Sequence, residues 1–321
     1  MLRYLLRRIN LLIITFLIIN IIAFVFQQKQ SVLIESDDMW ISQYLQFVWH
    51  NLNGDLGISS VTGKPVFDEL IVFLPATLEL CFSAFLLSFL VGIPLGTLAG
   101  IYHQHWIRNT ILSLTMIGYS IPVFWLALLL VMNSSVLLGW FPVSGRYNLL
   151  LEIPQITGFG IIDVMWLEPQ ARWPAFMSIL SHLLLPTIVL AVVPTTEVIR
   201  QLSNSMAQVM SQNYIKAAAT KGLSKTQIVM RHALHNALPP ILPSLGLQFG
   251  NVLTMAMVLE VVFAWPGIGR WLISSIYQQD YVAIQGGMLA IATLVICTFV
   301  LTDIFTALIH PLRRREVYAQ Q

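Results

Sequence analysis

Six apolar runs recur along the chain, at about 9–26, 75–102, 111–138, 176–200, 241–263 and 282–309, each bounded by polar residues. The hydrocarbon core of a bilayer is about 30 Å thick, which roughly 20 helical residues cross. Inside it every backbone N–H and C=O must be paired within the protein, so apolar runs of this length can only be helices. Of 321 residues, 57% are hydrophobic and 10% charged, whereas a soluble domain carries roughly a quarter charged residues. The expectation is an all-α integral membrane protein with six transmembrane helices. The first run follows Arg3, Arg7 and Arg8, the layout of a signal peptide or an anchor. It lacks a small-x-small cleavage site and reads as a retained anchor helix. Residues 1–73 then form an anchor plus an extracytoplasmic segment, 74–311 a five-span translocation core, and 312–321 a basic tail.

Charge decides orientation. One side of a six-span arrangement collects Arg3, Arg7, Arg8, Arg108, Arg200, Lys216, Lys221, Lys225, Arg231, Arg313, Arg314 and Arg315, twelve in all, and the other only Lys29, Lys64, Arg146, Arg172 and Arg270. By the positive-inside rule both termini face the cytoplasm. The acids Glu35, Asp37, Asp38, Asp55, Asp68 and Glu69 make the segment after the first run extracytoplasmic. A net charge of +2 is too small to point to nucleic acid.

Within the second run Gly92, Gly96 and Gly100 share one helical face, where another backbone can approach closely, and Pro94 predicts a kink. The stretch GYSIPVFW, containing Gly118, Ser120 and Pro122, is bent and less apolar, as expected of a segment lining a translocation path. A simple packing kink fits the composition equally well. Glu79, Glu260 and Asp303 lie at or inside span ends, and Glu260 joins Gly118, Ser120 and Pro122 as a candidate for the translocation path. Acids there are costly and mark function by default, so a proton-coupled secondary transporter stays open as an alternative. Each is also close enough to a span end to be a satisfied structural carboxylate. Cys81 and Cys297 sit in apolar runs as small buried residues. His232 with His235, and His103 with His105, lack acidic or cysteine neighbours and read as surface residues rather than metal ligands. No G-x-x-x-x-G-K-[ST] occurs, since Gly63 and Lys64 precede Pro65, and nothing in the chain is expected to cradle ATP phosphates.

The longest polar interruption, SQNYIKAAATKGLSKTQIVMRHALHNALPP (211–240), reads as two short helices with a hinge. Ser211 or Asn213 is expected to cap the first, and Gly222 to end it in the left-handed conformation. Ser224 to Gln227 reads as a capping box opening the second, which stops near Pro239. No acid lies between Glu197 and Glu260. A basic hairpin with a small alanine face is expected to be a docking element.

YIKAAATKGL followed by RHALHNALPP resembles the cytoplasmic loop of bacterial ATP-binding-cassette importer permeases of the dipeptide and oligopeptide branch. The likeness extends in order through GDLGIS (54–59), LPATLEL (74–80), SIPVFWLALLL (120–130) and EVVFAWPGIGR (260–270), and is nearest the Sap-type peptide permeases. The resemblance implies a type I importer permease fold, with Tyr214, Lys216, Ala217, Ala218, Ala219, Gly222 and Leu223 in a helix that couples to an ATPase. Lys216 stands where the wider family has Glu, and His310, in IHPLRRR, departs from the usual D-P-R. It further implies a bacterial inner-membrane subunit that moves peptides or related small polar or cationic solutes and is not itself an enzyme. Its partners would be a second homologous permease, two ATPase subunits that bind the ATP and Mg2+, and an extracytoplasmic binding protein.

Overall fold

The computed structural model describes residues 2–28 and 40–309. Lys29, Glu35, Asp37, Asp38, His310 and the basic tail lie outside the described residues, as does the side chain of Asp303. Among the described residues all regular structure is helical apart from a single bridge, Ile58 to Pro65. In chain order, α1 (Leu2–Gln28), α2 (Trp40–Leu52) and α3 (Val66–Ile101) are followed by α4 (Trp106–Ser120) and α5 (Val123–Leu130), which runs into a π-helical turn at Val131–Leu137. Then come α6 (Gly160–Asp163), α7 (Pro169–Met210), α8 (Asn213–Thr220), α9 (Lys225–Ile228), a π-helical turn (Val229–Ala233) and α10 (Leu234–Ala237). The chain closes with α11 (Leu242–Val262), α12 (Ile268–Tyr277) and α13 (Tyr281–Ile309).

Three of these helices, α3, α7 and α13, are each long and apolar enough to cross a membrane. Two bent pairs bring the number to five: α4 with α5 and its extension, at 90°, and Lys225–Gly246 with Gln248–Val262, at 51°. Ile13–Val25 of α1 is a shorter apolar stretch. The 90° break has a local cause. Pro122 has no N–H and disfavours helical backbone at the preceding residue, and Ile121 is extended at φ −82°, ψ 125°.

α3 begins at Val66, well before the Pro75 expected to open the second apolar run, so the expected division after residue 73 falls inside it. Pro75 and Pro94 both lie within this continuous helix. α7 is likewise longer than the apolar run expected there, and encloses Pro174, Pro186 and Pro194. Three of the described helices were not expected at all, α2, α6 and α12. All are short, and none has the length of a span.

The α3–α7 pair is the spine. A Cβ on Gly92 would come 2.8 Å from Val198 Cγ1, one on Gly96 would come 3.0 Å from Leu202 Cβ, and one on Gly100 would overlap Met206. The glycine face therefore does bring two backbones together. α11 packs on this spine through Leu253, Ala256 and Leu259 against Leu80, Ala84 and Val189. Large apolar side chains such as Leu86, Leu90, Leu128 and Leu301 remain exposed, the exterior of helices that face lipid.

Candidate functional site

The hairpin at 211–240 is built as two arms folded under α3 and α7. Neither Ser211 nor Asn213 caps α8: Gln212 occupies the cap position without a side-chain bond. The C-terminal end is a Schellman motif, with Leu223 N–H donating to Ala218 O at 3.4 Å and Gly222 N–H to Ala219 O at 3.0 Å, and Gly222 left-handed at φ +82°. The capping box is present: Ser224 Oγ accepts from Gln227 N–H at 3.3 Å, and Ser224 N–H donates to Gln227 Oε1 at 2.9 Å. Ser205 Oγ donates to Ala237 O at 2.8 Å, tying the second arm to α7.

Burial sorts the expected coupling residues into two faces. Ala218, expected on the outward contact face, is buried with Ile215 against Leu202, Met206, Ile228 and Ala233. Ile215 and Ala218 are three apart on one helical face, so the packing of Ile215 on the core turns Ala218 inward with it. Tyr214, Lys216, Ala217, Ala219 and Gly222 point outward and Leu223 is half-buried. Lys225 Nζ lies 5.5 Å from the centroid of the Tyr102 ring.

A cavity of about 590 Å³ lies between the α4–α5 break, α7 and α11, lined by Ser120, Pro122, Tyr119, Phe124, Leu190, Val193, Asn251, Met255 and Val258 among others. Ser120 and Pro122 are therefore at a solute-sized space. Gly118 is not part of its lining and sits against α7, where a Cβ would come 3.4 Å from Val192 Cγ1. Asn251, Met255 and Val258 were not singled out from sequence, although their spacing of four and three along the fifth span marks one helical face.

Glu260, the fourth path candidate, is fully buried away from this cavity. Its Oε1 accepts from Thr77 Oγ1 at 2.5 Å, and its Oε2 from the N–H groups of Gly269 at 2.7 Å and Arg270 at 3.1 Å. Those two donors are in the first turn of α12, whose leading N–H groups have no helical partner. Glu260 thus caps α12, and a Cβ on Gly267 would overlap its carboxylate. Trp265 fills the core and donates to Ala76 O at 2.9 Å. Glu79 is equally occupied, by Arg146 and by Ile161 N–H at 2.8 Å. Neither carboxylate is arranged as a proton relay. Arg146, Asp163 and Asp280 are structural polar residues that sequence reasoning missed. Ser59 in the GDLGIS stretch donates to Asp280, and Thr157 Oγ1 donates to Asp163 at 2.7 Å. Among the described residues no group of three or more metal-ligating side chains converges, the histidine pairs included.

A family model described as "Binding-protein-dependent transport system inner membrane component" matches residues 92–315. The chain is 46% identical over 99% of its length, and 99% of theirs, to the putrescine export system permease protein SapB of Escherichia coli K12 and to the peptide transport system permease protein SapB of Salmonella typhimurium. It is 35% identical over 98% of its length to the dipeptide transport system permease protein DppB of Escherichia coli K12, covering all of that relative. The MetNI methionine ABC transporter in an inward-facing conformation superposes with a TM-score of 0.55 at 15% identity, over 75% of this chain and 96% of that one. These likenesses, with an all-helical body and a helical hairpin beneath it, place the fold with the type I importer permeases. The chain belongs to the binding-protein-dependent transport system inner membrane component family of ABC transporter permeases.

Proposed function

We propose that this permease moves peptides or small amines across the bacterial inner membrane. The observation that carries the reading is the full-length 46% identity to permeases named for peptide transport and for putrescine export. The two names share a solute class, compounds bearing a primary amine, and only the putrescine name states a direction.

In this reading the chain crosses the membrane six times with both termini cytoplasmic, pairs with a second homologous permease, and is served by an extracytoplasmic binding protein. Two ATPase subunits hold the ATP and Mg2+ and seat on the outward face of α8, formed by Tyr214, Lys216, Ala217 and Ala219. Their approach on ATP binding moves the hairpin, and the hairpin moves α7 and α11, between which the solute passes. Ser120 and Pro122 line that path.

Reconstitution tests this directly. The chain co-expressed with its second permease and ATPases is expected to hydrolyse ATP and to move a labelled peptide or putrescine only when ATP is present. Equal flux driven by a proton gradient in the isolated chain would replace this reading with a secondary transporter.

A further inference from the structure

The cavity is lined by few polar side chains, chiefly Tyr119, Ser120 and Asn251, and its chemistry changes toward the hairpin. The α7 face that brings Val193 to the cavity next presents Glu197 and then Gln201, while the α11 face that brings Asn251 there next presents Gln248 and then Ser244, as the helical period requires. The two faces are joined: Ser244 Oγ donates to Gln201 Oε1 at 2.5 Å, and Gln201 Nε2 donates to the Glu197 carboxylate. Glu197 therefore stands in the α7–α11 seam, in line with the cavity. Its side chain is 17% exposed, against 54% for Arg200, which holds it through Nη2 at 2.6 Å and Nε at 3.1 Å. One turn beyond Ser244 on the same α11 face, Gln248 Oε1 is buried without a hydrogen-bond partner, and the antiparallel register set by the Ser244–Gln201 bond puts it level with Glu197.

A surface i,i+3 ion pair accounts for Arg200 and Glu197 but leaves the Gln248 acceptor unexplained. A buried acceptor without a donor is costly to maintain. The seam offers a carboxylate and a free amide oxygen, which are acceptors, and a primary ammonium brings three donors and no acceptor. Arg200 already demonstrates that the carboxylate takes N–H donors, and with its side chain 54% exposed the guanidinium has solvent to turn into when another cation takes its place. We propose that this seam recognises the primary ammonium group of the transported solute, with Glu197 and Gln248 accepting its hydrogen bonds and Arg200 the resident cation that it displaces. The proposal rests on the reading of the chain as a permease for amine-bearing solutes and names the residues that select them.

The assembled complex in proteoliposomes, given labelled putrescine, tri-alanine or N-acetyl-tri-alanine, provides the test. Glu197→Gln is expected to raise the KM for the amine probes about tenfold or more, the scale of a lost hydrogen bond to a charged group, with Glu197→Asp recovering part of it and co-purification of the ATPases retained. Gln248→Leu is expected to raise KM less. Arg200→Gln should lower KM, because it removes the competitor. A merely structural pair predicts instead that the Glu197 and Arg200 variants lose function together, and that result overturns the proposal, as does an unchanged KM in Glu197→Gln. Flux of putrescine alone assigns the site to a diamine, flux of tri-alanine alone to a peptide amino terminus, and both support it. N-acetyl-tri-alanine carried as well as tri-alanine overturns it. A wild-type complex that hydrolyses ATP but carries no amine defeats ammonium recognition and leaves the permease reading standing, whereas absence of ATP hydrolysis in the assembled complex defeats both.

Discussion

Arg146 closes on Glu79 with two donors, Nε at 2.9 Å and Nη2 at 2.5 Å from the same Oε2, and both side chains are almost completely buried. The guanidinium has further neighbours. Arg146 Nη2 also donates to Gly158 O at 2.7 Å, and its guanidinium lies 5.9 Å from the centre of the Trp265 ring. One ion pair thus fastens the segment between α5 and α7 to α3 and to the end of α11.

Breaking this pair from one side leaves a buried charge with no counter-charge. Removing one partner of a buried ion pair typically costs about 3–5 kcal/mol, while replacing both by apolar residues can be near neutral. Glu79→Ala is therefore expected to lower the thermal midpoint of the purified protein sharply, and Glu79→Leu with Arg146→Leu to recover much of the loss. A double variant no better than the single one, measured by thermal unfolding in detergent, would remove the pairing as the explanation.

The parts of the fold legible in the sequence were those with a local cause. The Gly92, Gly96 and Gly100 spacing, the Ser224–Gln227 capping box, the left-handed Gly222 and the break before Pro122 each depend on residues within a turn or two of one another. Glu79 with Arg146, and Thr77 with Glu260, are 67 and 183 positions apart, and no local pattern announces such partners. α12 was hidden for the same reason: its capping residue, Glu260, belongs to the preceding helix, so the sequence around Gly267 shows no ordinary start signal. Ala218 was placed on the wrong side of α8 because a run of three alanines has no visible polarity, and only the contact of Ile215 with the core sets the rotation.

The cap on α12 predicts a second set of effects. Glu260→Ala strands the N–H groups of Gly269 and Arg270 and the hydroxyl of Thr77 in a buried site, at a cost of about 1–3 kcal/mol for each unsatisfied group. Gly267→Ala forces a methyl group into the same carboxylate. Both variants are expected to reduce membrane abundance and thermal stability, while Gly118→Ala, where the added carbon meets only ordinary packing at 3.4 Å, should be close to neutral. Quantitative immunoblotting beside thermal unfolding separates the three.

Asp280 gives the junction between α12 and α13 an expected sensitivity to acid. Burial alone raises its pKa, but donors from Ser59, Ala283 N–H and Ser60 outweigh that and hold it below the ordinary value. A carboxylate with a depressed folded-state pKa contributes stability that is fully present above the unfolded value, about 3.9 for Asp, and is lost as pH falls through the folded value. The wild type should therefore exceed Asp280→Asn in thermal midpoint by a constant margin near neutrality, and the margin should shrink below about pH 4. Thermal midpoints of the two proteins recorded across that range check the sign, and a margin that grows on acidification contradicts it.

The hairpin yields the sharpest contrast, because two neighbouring alanines face opposite ways. Ala217 is exposed and Ala218 is packed on Ile215 and the α7 core. Glutamate at 218 buries a charge with no partner and should reduce folding and abundance. Glutamate at 217 disturbs nothing within the chain, so Ala217→Glu should reach the membrane normally yet co-purify poorly with its ATPases. Gly222→Val isolates a third term: open space surrounds the position, leaving only the backbone strain of a β-branched residue at φ +82°, roughly 1–2 kcal/mol. That strain falls on the turn between the two arms and should weaken ATP-coupled transport more than abundance. If Ala217→Glu binds ATPases and transports as the wild type does at equal expression, the outward face of α8 is not where the ATPases seat.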